Sequence, residues 1–64
     1  MKSRVLIIED TPEVGEFIDL MLSDNGYTTT LVKSAEDGLR IIARQPPDLI
    51  ISDIGLPEIG RAHV

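Results

Sequence analysis

The four residues Val5-Leu6-Ile7-Ile8, followed at once by Glu9-Asp10, restrict the fold of this chain more than any other stretch. A half-exposed strand alternates apolar and polar side chains. This run does not alternate, so it reads as a strand covered on both faces, the situation of an inner strand in a parallel sheet. Two acids end it, and Thr11-Pro12 begins a different element, with a hydroxyl for the N-cap and a proline suited to the first helical position. Val14, Phe17, Ile18, Met21 and Leu22 then recur at helical spacing and form one apolar stripe over about three turns. Glu13 and Glu16 put negative charge in the first turn, where the helix dipole favours it, and Asn25-Gly26 supplies a left-handed stop.

The rest of the chain repeats this alternation. Tyr27 to Val32 is threonine-rich and β-branched, a second strand more polar than the first and so expected at the sheet edge. Ser34-Ala35-Glu36-Asp37 has the form of a capping box, with Asp as a shorter substitute for the usual Glu. The helix it opens is expected to bury Ala35, Leu39 and Ile42, with Gly38 as either a packing notch or a weak point. Gln45-Pro46-Pro47 ends that helix. Leu49 to Ser52 is a third strand that runs into Asp53, where Gly55 and Pro57 force a loop. The order strand, helix, strand, helix, strand with short connections predicts an α/β fold, part of a doubly wound parallel sheet of the flavodoxin-like type with strand order 2-1-3.

Bulk properties narrow the function classes. With 64 residues the chain makes at most one small domain, and folding at this size buries only roughly 60% of the surface that the unfolded chain exposes. No cysteine is present, so disulfides and thiolate zinc sites are excluded, and a single histidine excludes a His-rich metal site. A formal charge of −5 with one Tyr and one Phe argues against a nucleic-acid grip by this segment. No apolar run approaches a membrane span and no signal-peptide core is visible, so a cytoplasmic location is expected.

In the strand order 2-1-3 the first and third strands are neighbours, which brings Glu9, Asp10 and Asp53 to one carboxyl edge. Singly, each acid is more readily a turn former, a cap or a solvated loop residue. Together, three carboxylates repel one another and call for a raised pKa or a divalent cation. Mg²⁺ fits best, because it takes oxygen ligands, retains several waters and can partner a phosphoryl oxygen.

Ile7-Ile8-Glu9-Asp10-Thr11-Pro12, Ser34-Ala35-Glu36-Asp37-Gly38-Leu39 and Pro47-Asp48-Leu49-Ile50-Ile51-Ser52-Asp53-Ile54-Gly55-Leu56-Pro57 together resemble the first half of a response-regulator receiver domain from a two-component phosphorelay. The resemblance runs from Arg4 to about Ile59. It implies that Asp53 accepts a phosphoryl group from a histidine kinase or phosphotransfer protein. It further implies that Asp10 and Asp53 bind Mg²⁺ directly, that Glu9 holds a metal-bound water, and that the Gly55 carbonyl is another ligand.

The chain also departs from that family. Receiver domains continue through two more strands, which carry a hydroxyl residue and a lysine that contact the phosphoryl group, and neither has a counterpart here. Residues 1–59 are therefore expected to form a truncated receiver and residues 60–64 a tail foreign to the pattern, with His63 a terminal residue rather than a ligand or phosphodonor. Lacking its later neighbours, the third strand is expected to be an open edge, and the fragment to complete its core as a homo-oligomer. Three functions compete: a phosphoacceptor module impaired in switching, an oligomerising α/β fragment without phosphotransfer, and, last, an aspartate-nucleophile phosphatase. The phosphatases usually place a second acid two residues after the first, where this chain has Gly55.

Overall fold

A computed structural model describes residues 3–52, so Asp53, Gly55, Pro57, the expected boundary at residue 59 and the tail with His63 lie outside the described residues. Five elements follow in order: β1 (Arg4–Ile8), α1 (Pro12–Asp24), β2 (Thr28–Val32), α2 (Ala35–Arg44) and β3 (Leu49–Ser52). The three strands form one parallel sheet in the order β2-β1-β3. The expected architecture and strand order are both observed.

The unbroken apolar run is the centre of the molecule. Val5, Leu6, Ile7 and Ile8 are all essentially inaccessible to solvent. Leu6 and Ile8 form one cluster with Val32, Ala35, Ile41, Ile42 and Ile50, the face that α2 covers. Strand alternation turns Val5 and Ile7 to the opposite face, where α1 lies. Burying these four aliphatic side chains contributes about 1.5–3 kcal/mol each against the entropy of ordering the chain.

Two glycines let the helices approach. A methyl group on Gly38 would sit 2.6 Å from Ile8 Cδ1, so Gly38 is the packing notch of α2. A methyl group on Gly15 would sit 2.9 Å from Leu31 Cδ1, which makes Gly15 the corresponding notch of α1 against β2. The end of α1 is built by Gly26 at φ +91°: its N–H bonds to the Ser23 carbonyl and the Tyr27 N–H to the Leu22 carbonyl, the paired bonds of a left-handed helix stop.

Three local expectations are corrected. Thr11 is the N-cap residue of α1 by position, but its hydroxyl makes no capping bond. The helix stripe is wider than the surface that covers it: Ile18 and Leu22 are half-buried, whereas Val14, Phe17 and Met21 are exposed, Phe17 at 64%. In α2, Leu39 is 51% exposed, and Ile41 joins Ala35 and Ile42 against the core in its place. The capping box of α2 is present on one side: Ser34 Oγ accepts from the Asp37 N–H at 3.1 Å, while the Asp37 carboxylate pairs with Arg40 at 2.9 Å.

Candidate functional site

The carboxyl edge of the sheet is fixed by strand register. Ile8 lies opposite Val32 of β2 and Ser52 of β3, so all three strands finish level. The ladder extends one bond further, from the Glu9 N–H to the Val32 carbonyl at 3.0 Å. Glu9 and Asp10 thus leave the central strand at this edge, and Asp53 is the next residue in the chain after Ser52. Asp53 and Gly55, the expected phosphoacceptor and carbonyl ligand, lie outside the described residues.

The two described acids behave differently. Asp10 is exposed. Glu9 is only 3% exposed, a rare state for a carboxylate. One of its oxygens, Oε2, accepts the Thr11 backbone N–H at 3.1 Å, at the amino end of α1, where unpaired amides and the helix dipole favour negative charge. The other, Oε1, is buried with no hydrogen-bond partner among the described residues. A buried polar atom left unpaired costs about 1–3 kcal/mol, so an oxygen in this position calls for a partner at the strand ends. An Mg²⁺-bound water is one group that would pair with it, and the oxygen-rich donors Glu9 and Asp10 suit a hard cation. Among the described residues no three acidic, imidazole or thiol side chains gather as a metal cluster.

Two parts of this arrangement were not anticipated from sequence. The backbone N–H of Thr11, rather than its side chain, is what orients Glu9. A methyl group on Gly15 would sit 3.6 Å from the Glu9 Cβ, so this glycine lets α1 come down over the Glu9 stem. A glycine inside an otherwise apolar helical stripe was the available signal for the second.

Comparison with known proteins gives a consistent result. Residues 5–60 match the family model described as the response regulator receiver domain. The transcriptional regulatory protein AfsQ1 of Streptomyces coelicolor is 38% identical over 60 residues, 94% of this chain and 27% of that protein. The transcriptional regulatory protein KdpE of Mycobacterium tuberculosis is 34% identical over 60 residues, 94% of this chain and 26% of that protein. An uncharacterized 14.6 kDa protein in the sodA1 3' region of Leptolyngbya boryana is 31% identical over 55 residues, 86% of this chain and 42% of that protein. The chain therefore spans less than half the length of these relatives. No solved structure gives a significant match. Among the described residues, no helix is long and apolar enough to cross a membrane.

Proposed function

Because this chain belongs to the response regulator receiver family of two-component signalling, we propose that it is a phosphoacceptor segment that takes a phosphoryl group on Asp53 with Mg²⁺ at Glu9, Asp10 and Asp53. The buried Oε1 of Glu9 at the end of β1, without a partner among the described residues, is the observation that carries this reading. In the reaction, a carboxylate oxygen of Asp53 attacks the phosphorus of a phosphohistidine on a histidine kinase or phosphotransfer protein. The new O–P bond forms as the P–N bond breaks, and the imidazole nitrogen leaves with the electron pair. When bound, Mg²⁺ would neutralise charge that gathers on the phosphoryl oxygens. Glu9, held by the Thr11 amide, would orient a metal-bound water, Asp10 would be a direct ligand, and the Gly55 carbonyl would complete the protein donors. This is signalling chemistry on the chain itself rather than turnover of a substrate.

Glu9→Gln tests the metal part, because it removes the charge while keeping the size and one acceptor for the Thr11 N–H. Mg²⁺ affinity, read by NMR shifts or calorimetry, is expected to fall roughly 10–100-fold, as for other groups that hold a metal through a second contact. Stability without metal is expected to hold or rise, since a buried charge is gone. Equal Mg²⁺ affinity in the two proteins would remove Glu9 from the site.

Self-association is a second reading, favoured by the exposed apolar flank of α1 (Phe17 64%, Leu20 63%) and by Leu49 of β3 at 52%. Light scattering is expected to report a dimer or larger species, insensitive to Mg²⁺ and to Asp53→Asn. A cooperatively folding monomer would dismiss this reading.

A further inference from the structure

The register of β3 is poorly specified by its own side chains. β1 offers Val5-Leu6-Ile7-Ile8 and β3 offers Leu49-Ile50-Ile51, apolar at every position. A slip by one residue, which in an alternating strand would turn polar groups into the core, here exchanges one aliphatic side chain for another along Leu49 to Ile51 and changes the character only of an end pair, through Ser52 or Asp48. β3 is also short, with four residues, and among the described residues it pairs only with β1. The hydrophobic pattern alone therefore holds Ile8 opposite Ser52 only weakly.

A specific polar contact lies at the other end of the sheet. Asp48 grips the backbone of Arg4 twice: its N–H donates to the Arg4 carbonyl at 2.8 Å and its Oδ2 accepts the Arg4 N–H at 2.7 Å. The Arg4 side chain closes the loop, since Nη2 donates to the Gln45 carbonyl at 2.9 Å and also to the Pro46 carbonyl. Gln45 is the C-cap of α2, where orphaned carbonyls favour a cation. Prolines 46 and 47 limit the backbone freedom of the same connection. The contacts join residues more than forty positions apart and depend on one particular pairing, because a slipped β3 would present Leu49 or Pro47 to Arg4, neither of which has a carboxylate.

We infer that the Arg4–Asp48 clamp is a positioning device that sets β3 in register from its amino end, and so fixes where the chain leaves the sheet before Asp53. A one-residue slip would move that exit by about 3.3 Å, more than a metal–oxygen bond length. The functional consequence rests on Asp53 being the phosphoacceptor; the register claim does not.

The test compares the 64-residue chain with Asp48→Ala and Asp48→Asn, the latter keeping one acceptor for the Arg4 N–H. Cross-strand NMR contacts for the pairs Leu6–Ile50 and Ile7–Ile51 report register directly, and Mg²⁺ titration reports the edge. Asp48→Ala is expected to lose or split these contacts into more than one set while β1–β2 contacts persist, and to bind Mg²⁺ about tenfold more weakly, with Asp48→Asn close to wild type. Unchanged β1–β3 contacts in folded Asp48→Ala would overturn the inference. Global unfolding of Asp48→Ala together with wild-type behaviour of an Arg4→Met, Asp48→Asn double variant would also overturn it, by reducing the clamp to general stability. A wild-type chain that binds no Mg²⁺ would refute the phosphoacceptor reading and leave the register comparison to stand or fall by itself.

Discussion

Asp53→Asn is expected to abolish phosphoryl acceptance while leaving the sheet intact. The amide has the size and shape of the carboxylate but lacks the charged oxygen that attacks phosphorus, and loss of a nucleophile typically costs several powers of ten in rate. Incubation with a small phosphodonor and Mg²⁺, read by intact mass, should show a modified wild type and an unmodified variant. The circular dichroism spectrum should be unchanged, because the described strands, helices and core cluster are built from residues before position 53. Modification of both proteins at the same rate would assign the phosphoryl group to another residue and defeat the proposed role.

The second large effect concerns β1. Leu6 is fully buried at the centre of the α2-side cluster, and Leu6→Ala is expected to cost about 2–5 kcal/mol through lost burial and the cavity left behind. A core of this size rarely supplies more than about 3–5 kcal/mol in total. The variant should therefore lack a cooperative thermal transition by circular dichroism at ordinary concentrations. Leu39→Ala is the matched control: the same chemical change at a site that is 51% exposed should shift the midpoint only slightly. Equal losses in the two variants would contradict the division between core and surface described above.

The contrast between those two leucines also shows where sequence reading succeeds. Apolar runs that end abruptly at Glu9-Asp10, Asn25-Gly26 and Pro46-Pro47 leave little freedom in element order, and all five elements lie where that punctuation places them. Helical spacing, however, identifies an apolar arc without saying which part of it meets the sheet. α1 packs mainly over β2 through the Gly15 notch, so Ile18 and Leu22 turn inward and Phe17 faces solvent. The same limit applies at the site. Glu9 and Asp10 are chemically similar and adjacent, yet side chains at successive positions at a strand end point in different directions, and only Glu9 is drawn under α1. Pattern alone placed both acids at the edge; the difference in burial depends on a backbone amide and a glycine whose roles emerge only in three dimensions.

The central position of β1 has a consequence for the order of events during synthesis. Of the three described strands it is made before the other two, which begin at residues 28 and 49. The most apolar stretch of the chain must therefore wait for a partner on its β2 side until residue 32 has emerged and on its β3 side until residue 52 has, at about 5–20 residues per second. Pairing with β2 can form as soon as α1 has folded back. Pairing with β3 closes a longer loop and comes last. The nascent chain thus passes through a two-stranded stage with one side of β1 bare, the stage at which it is most open to capture by a chaperone or by another copy of itself.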